Sequence, residues 1–244
     1  YMLRKKLRNS AKYIFLNSYN MLYEVKQRYA LSQSVEKIHV MPFALCTNKH
    51  PQHSNKNKIV IVYPGTVSIK RKKYNTFFKL AQKNKNMEFV LLGQLKEGDG
   101  KEEILAKIAE YQINNIKIYF DFVPSEEFER QMNRASLLFS DFPVEIEFGK
   151  TTEIYGKTKD SGISYLMLRY GVPALTNEEF TNIPKLGECT IGFSNSEDAN
   201  TKLIRILDPS IRQDLIDRIT EASRYYSIEN FAQRLRPVVN SIIY

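Results

Sequence analysis

The chain has 244 residues, of which 43% are hydrophobic and 12% aromatic, and it contains 10 glycines and 9 prolines. This composition excludes a disordered, collagen-like or linker-dominated protein, and no apolar run approaches the ~20 residues that a membrane span requires. Lys and Arg number 36 against 27 Asp and Glu, so the net charge is +9. The positive charge favours phosphate-rich partners, which are nucleotides, nucleic acid or an anionic membrane surface.

Cysteine usage and the start of the chain give predictions about compartment and completeness. Cys46 and Cys189 are too few for a disulfide framework or, by themselves, for a zinc cluster, which predicts reduced thiols in a cytoplasmic protein. Residues 1–16 lack the continuous apolar segment and the cleavage site of a signal peptide. Because the first residue is Tyr rather than Met, we expect the chain to be a piece of a longer protein.

The first 57 residues differ in pattern from the rest. Residues 11–16 predict a strand, residues 19–29 a helix and residues 38–41 another strand. Residues 47–57 are polar and contain Pro51 among several Asn and Lys, a composition typical of a linker. We therefore expect residues 1–57 to be the remnant of an upstream α/β domain followed by a linker.

From Lys58 onward, short apolar runs alternate with helical patterns. The predicted strands are residues 59–63, 89–92, 116–120, 137–139, 172–176 and 190–193, and the predicted helices are residues 75–85, 102–112, 125–134 and 163–170, followed by two helices within 209–244. This alternation predicts a doubly wound α/β domain over residues 58–244, in which helices cover both faces of a parallel sheet. A ligand of such a domain binds at the carboxyl ends of the strands.

The loop after the first of these strands, residues 63–74, is called here the first cationic turn. Gly65 lets backbone N–H groups approach an anion, and Thr66 adds a hydroxyl donor. Arg71 and Lys72, with basic neighbours on both sides, place cations just before a predicted helix, which is what the oxygens of a diphosphate require. The spacing is not that of a Walker loop, and a solvated basic loop is the alternative.

Residues 155–163, called here the second cationic turn, precede another predicted helix. Ser161, Gly162 and Ile163 would present free N–H groups to a phosphate, and Lys157 would strengthen the positive field. The alternative is an ordinary helix cap. Because both turns follow strands of one predicted sheet, the fold would bring them together at one phosphate site.

A third candidate ligand-binding segment is the loop of residues 121–126. Phe122 offers a flat surface for a nucleotide base, and the backbone of Val123 and its neighbours would contact the edge of that base. A plain turn followed by a helix cap explains the same residues and is favoured by the pattern alone.

The order of these segments resembles the C-terminal part of a GT-B glycosyltransferase, of the retaining class that uses nucleotide sugars. The resemblance covers nearly the whole chain and is carried by short motifs in residues 12–18, 37–42, 61–65, 71–74, 89–93, 122–125 and 161–176. It implies a Rossmann-like domain that contacts a nucleotide sugar through Gly65, Thr66, Arg71, Lys72, Gly93, Phe122, Val123, Lys157, Ser161, Gly162 and Ile163. It implies neither a metal nor a cofactor besides the donor substrate.

The sequence departs from the pattern of that family at three residue positions. The family often carries two Glu separated by seven residues, and Thr158 and Leu166 stand at those positions. Thr66 replaces the Arg that usually follows the first-strand Gly. Catalytic residues therefore stay unassigned. A set of carboxylates before the second cationic turn could contact sugar hydroxyls, but a solvated acidic loop is favoured; they are Glu145, Glu147 and Glu153.

The resemblance predicts a function for an intact protein of which this chain is the donor-binding half. That protein would transfer a sugar from a nucleoside diphosphate sugar to a glycan or lipid-linked acceptor, in bacterial surface-polysaccharide synthesis, with residues 1–57 belonging to the acceptor domain and linker. We expect this half to be inactive alone, cytoplasmic, in peripheral contact with the inner membrane and without nucleic acid. The alternatives are a basic nucleic-acid-binding module and a sugar-nucleotide epimerase of the same fold.

Overall fold

The computed structural model describes residues 14–18, 20–24, 38–41, 58–148 and 151–243. In the N-terminal part, strands β1 (Ile14–Leu16) and β2 (Ile38–Val40) pair in parallel, and residues 20–24 are helical. Both predicted strands of this region are confirmed. The rest of the predicted helix, the linker and Cys46 lie outside the described residues.

A six-stranded parallel sheet forms the centre of the remaining chain. Its strands are β3 (Val60–Pro64), β4 (Glu88–Gln94), β5 (Ile116–Tyr119), β6 (Leu137–Ser140), β9 (Ala174–Asn177) and β10 (Thr190–Phe193), and a separate antiparallel hairpin consists of β7 (Glu145–Phe148) and β8 (Thr151–Ile154). The helices are α1 (Asn75–Lys83), α2 (Lys101–Glu110), α3 (Ser125–Arg134), α4 (Gly162–Tyr170), α5 (Ser196–Ile206), α6 (Pro209–Tyr225) and α7 (Ile228–Ile243).

The strand order β10-β9-β6-β3-β4-β5 confirms the predicted doubly wound fold. The chain runs outward from β3 through β4 and β5, then returns to the other side of β3 with β6 and continues through β9 and β10. The winding direction therefore reverses between β3 and β6. In sheets of this kind the ligand crevice opens beside that point, at the carboxyl ends of the strands.

Alternate residues of each central strand pack into two cores, one on each face of the sheet. On β3, Val60 and Val62 belong to the core shared with α3, α4 and α6, whereas Ile61 and Tyr63 belong to the core shared with α1, α2 and α5. All four side chains are almost fully buried. Burial of a large apolar side chain stabilises the fold by about 1.5–3 kcal/mol, so the continuous apolar runs fix these strands at the centre.

One hairpin and one α-helix were not predicted. The acidic segment expected to be a loop is the β7–β8 hairpin, although Glu145-Ile-Glu-Phe148 does alternate polar and apolar residues as strands do. Helix α5 begins after Asn195, whose side chain accepts hydrogen bonds from two backbone N–H groups of the first turn. None of the helices within the described ranges combines the length and the apolar character needed to span a bilayer.

Candidate functional site

A cleft of about 500 Å³ opens at the carboxyl ends of β3, β4 and β5, beside the point where the winding direction reverses. Four segments of the chain form its walls. The lining residues are Gly65, Thr66, Leu92, Gly93, Gln94, Lys96, Phe122, Val123, Ser125, Phe128, Glu129, Leu166, Arg169 and Tyr170. This position is the one predicted for a ligand from the strand–helix alternation.

Backbone rather than side chains forms the floor of the cleft where β3 and β4 end. Gly65 has a φ of +88°, which favours glycine, and its N–H donates to the carbonyl oxygen of Leu92 over 2.9 Å. A Cβ at Gly93 would lie 2.3 Å from the carbonyl oxygen of Gly65. Gly65 is therefore required for its left-handed backbone and Gly93 for the close approach of the two segments, and a ligand meets bare backbone there.

The first cationic turn is attached to the end of β6 through Asp141. The Tyr63 hydroxyl donates to the Asp141 carbonyl, and the backbone N–H of Lys73 donates to the same oxygen over 2.8 Å. Burial raises the pKa of the Asp141 carboxyl to about 6, even though Lys73 and a hydrogen bond from Thr76 act in the opposite direction. These contacts hold the turn against the central strand pair.

Lys72 and Arg71, which the sequence could not separate, differ in placement. The Lys72 Nζ donates to the carbonyl oxygens of Pro64 over 2.7 Å and Gly65 over 3.0 Å, and it lies 4.6 Å from the centroid of the Tyr63 ring. Burial lowers the pKa of Lys72 to about 7. The Arg71 side chain is exposed. Lys72 is thus the cation held against the backbone that lines the cleft.

The opposite wall combines the base-contact loop with α3 and α4. Phe122 is 76% exposed and Val123 is buried; both line the cleft. Further down this wall, the Arg169 Nη2 of α4 lies 2.5 Å from a carboxylate oxygen of Glu129 on α3. An exposed aromatic ring beside a backbone edge suits a flat, partly polar ligand group.

The second cationic turn is mainly engaged in contacts with the protein itself. The Lys159 ammonium lies 2.6 Å from a carboxylate oxygen of Glu153, and the Ser161 side chain accepts a hydrogen bond from the N–H of Ile163 at the start of α4. Lys157 and Gly162 are exposed. No residue of this turn is among the described residues that line the cleft, and α4 reaches it instead through residues one and two turns further on.

The predicted contacts thus fall into two groups. Five line the cleft, namely Gly65, Thr66, Gly93, Phe122 and Val123, while Arg71, Lys72, Lys157, Ser161, Gly162 and Ile163 do not. Sequence reasoning missed Asp141, Glu129 and Arg169. Only Asp141 had a usable signal, because it lies two residues after a predicted strand. Over the described ranges, no group of three or more His, Cys, Asp or Glu residues is placed to hold a metal ion.

Comparison with known proteins adds structural similarity but no sequence match. No protein-family model matches the sequence, and no curated protein matches it. Sucrose-phosphate synthase from Thermosynechococcus elongatus is similar with a TM-score of 0.67 and 13% identity, covering 99% of this chain and 61% of that chain. A glycosyltransferase from Rickettsia africae is similar with a TM-score of 0.65 and 18% identity, covering 97% of this chain and 65% of that chain.

The Anabaena protein HepE, in complex with UDP and glucose, is similar with a TM-score of 0.65 and 13% identity, covering 98% of this chain and 66% of that chain. At these identities the similarities establish the fold, which is the Rossmann-like α/β fold of GT-B glycosyltransferases. The chain spans slightly less than two thirds of the length of these three proteins.

Proposed function

We propose that the chain is the donor-binding half of a glycosyltransferase, which binds a nucleoside diphosphate sugar in the cleft. The observation that carries the proposal is the backbone floor formed by Gly65 and Gly93, with the Lys72 ammonium within 3.0 Å of the Gly65 carbonyl oxygen. Because Lys72 does not itself line the cleft, its side chain is expected to turn from the carbonyl to an anion lying on the floor. Charge-assisted hydrogen bonds of this type hold phosphate oxygens.

The same groups suit the chemistry of sugar transfer. When the bond between the sugar and the diphosphate breaks, the sugar becomes oxocarbenium-like and the leaving diphosphate gains negative charge. A cation and backbone N–H groups aimed at the diphosphate stabilise this transition state more than the ground state. Lys72 is the residue assigned to this role.

Phe122 is assigned to the nucleotide base, because its ring is 76% exposed at the mouth of the cleft. Stacking of a base on such a ring contributes about 1–3 kcal/mol. UDP is the first candidate, since HepE, which has the same fold, holds UDP and glucose in its structure. We assign a glycan or lipid-linked acceptor of surface-polysaccharide synthesis to the rest of the protein, and a cytoplasmic membrane surface is compatible with the net charge of +9.

The proposal is tested at Thr66, an exposed residue that lines the cleft beside Gly65. UDP, GDP and CMP are titrated into the full chain and into Thr66→Glu and Thr66→Gln by calorimetry. We expect a nucleoside diphosphate to bind the wild-type chain and Thr66→Gln. Binding to Thr66→Glu is expected to fall more than tenfold, because its carboxylate repels the diphosphate.

Two results would contradict the proposal. One is the absence of binding of all three nucleotides to the wild-type chain at millimolar concentration. The other is salt-dependent binding of an oligonucleotide without any response to free nucleotides, which would favour a nucleic-acid-binding module instead. Thermal unfolding of both variants provides the control, since an exposed side chain at this position contributes little to stability.

A further inference from the structure

Glu129 carries the one carboxylate among the described residues that line the cleft. It lies in the first half of α3, one turn after Ser125, which lines the same wall. Leu166 of α4 also lines the cleft. This leucine stands at the second position of the Glu pair of the resembled family and offers no hydrogen-bond acceptor from its side chain. The carboxylate on this wall therefore belongs to α3, whereas α4 contributes Arg169 and Tyr170.

Two residues of α4 hold the carboxylate of Glu129 in place. The Arg169 Nη2 lies 2.5 Å from its Oε1, and the hydroxyl of Tyr170 also hydrogen-bonds to Glu129. A carboxylate has two oxygens with about four lone-pair sites, so these two donors leave it able to accept further hydrogen bonds. The side chain of Glu129 is 39% exposed, so a ligand can reach it.

The geometry of the cleft indicates which ligand group meets this carboxylate. A nucleotide with its base against Phe122 and its diphosphate on the backbone of Gly65 places its ribose in the middle of the cleft. The remaining wall, formed by α3 and α4, then faces the ribose. A neighbouring pair of hydroxyl groups is a strong double donor for a fixed carboxylate, and acidic residues serve this purpose in other nucleotide-binding α/β domains.

We propose that Glu129 accepts hydrogen bonds from the ribose hydroxyls and makes the site selective for ribonucleotides over 2′-deoxyribonucleotides. This inference rests on the proposed function, because it assumes that a nucleotide occupies the cleft. Arg169 acts as a positioning residue that fixes the carboxylate. A surface ion pair without a ligand would, by contrast, have no effect on sugar selectivity.

The test compares UDP with 2′-deoxy-UDP, and GDP with 2′-deoxy-GDP, by calorimetry on the full chain. For the nucleotide that binds, we expect the ribose form to bind about tenfold more tightly, the effect of one hydrogen bond to a charged group. In Glu129→Gln the affinity for the ribose form is expected to fall about tenfold further than that for the deoxy form, which keeps only the 3′-hydroxyl as a donor, so that the ratio of the two affinities approaches one. The matched control is Glu126→Gln, which changes an exposed carboxylate on the same helix outside the cleft.

The outcomes separate this inference from the proposed function. Equal affinities of ribose and deoxy forms in the wild-type chain, or a ratio that Glu129→Gln leaves unchanged, would overturn the role of Glu129 while the nucleotide site stands. Absence of binding of both ribonucleotides to the wild-type chain would overturn the proposed function itself. A ratio that collapses in Glu129→Gln and persists in Glu126→Gln supports the inference.

Discussion

The two cationic turns have similar sequences and different structures. Each contains a glycine in the left-handed region, Gly65 with φ +88° and Gly156 with φ +79°, and the first contains three lysines and the second two. In the first turn Lys72 lies against the backbone that forms the cleft floor. In the second turn Lys159 pairs with Glu153.

The glycines show the same contrast. A Cβ at Gly65 would lie 3.5 Å from the Lys72 Nζ, whereas a Cβ at Gly156 would lie 1.9 Å from the carbonyl oxygen of Thr181. The first turn therefore presents its glycine to a ligand, and the second presses its glycine against another loop. Lysines near a strand end do not show whether a turn is open to a ligand or packed against the protein. The difference depends on the contacts that the side chains and backbone groups of the turn make in the folded chain.

The largest effect that follows from this contrast concerns the stability of the second turn. Gly156→Ala is expected to lower the free energy of unfolding by about 3 kcal/mol, since the new Cβ meets a backbone oxygen and the residue keeps a left-handed conformation. Urea unfolding measures the change. The control is Gly162→Ala, whose Cβ would meet nothing within 4 Å. Equal loss of stability in both variants would contradict the packing role of Gly156.

The next largest effect is on nucleotide affinity, and it distinguishes the roles of Lys72 in the first turn and Lys159 in the second. Lys72→Met is expected to weaken binding of a nucleoside diphosphate roughly 10- to 100-fold, the effect of losing one charge-assisted hydrogen bond. Lys159→Met, which removes a cation already paired within the protein, is expected to change the affinity less than threefold. Calorimetry with UDP and GDP provides both numbers. If Lys159→Met has the larger effect, the phosphate site lies at the second turn.

The pH dependence of binding sharpens the assignment of Lys72. Because burial lowers its pKa to about 7, binding of an anion above pH 7 must take up a proton, and affinity falls by up to about tenfold per pH unit. A UDP- or GDP-sugar is the suitable probe, since its diphosphate does not titrate between pH 7 and 9. Lys72→Arg, which stays charged, is expected to bind with a nearly flat profile. An unchanged slope in this variant would assign the titration to another group.

The same pKa shift predicts how the stability of the free protein depends on pH. Between pH 7 and the ordinary lysine pKa near 10.5, the unfolded chain binds more protons at this position than the folded chain. The contribution of Lys72 therefore makes the free energy of unfolding rise with pH across that window. Comparison of wild-type and Lys72→Met unfolding at several pH values isolates this contribution, and a difference between them that stays constant with pH would contradict it.

The smallest effect concerns the ion pair of the second turn. Lys159→Met is expected to lower the free energy of unfolding by less than about 1 kcal/mol, because the side chains of Lys159 and Glu153 are 43% and 31% exposed. Added salt is expected to reduce even this difference. A loss above about 2 kcal/mol in urea unfolding would show that the pair is more than a surface contact.

The predictable part of the fold is the part with strong local periodicity. The strands around Val62 and Val90 were predicted because a continuous apolar run must be buried on both faces, and α3 was predicted at its observed bounds from its periodic apolar residues. The β7–β8 hairpin was missed because its glutamates resemble a solvated loop. Helix α5 was missed although Asn195 and the buried Ala199 and Leu203 carry ordinary helix signals.

The candidate site was predictable where glycine and turn chemistry mark it, and less so elsewhere. Gly65 and Gly93 stand at strand ends, where the first takes up a left-handed backbone and the second leaves room for a close approach, so their sequence positions already point to the cleft. Glu129 and Arg169 lie 40 residues apart on two amphipathic helices. Nothing in either local pattern indicates that the two helices are neighbours or that this pair faces a ligand.

Local sequence patterns are enough to predict the alternation of strands and helices, the buried central strands and the turns that need glycine, because each depends on a short stretch of chain. Only the folded chain shows that β6 returns beside β3, that Lys72 rather than Arg71 lies against Gly65, and that Glu129 meets Arg169. These features depend on contacts between distant segments. Such contacts form, and contribute to stability, only once the strand order and the packing of helices on both faces of the sheet are established.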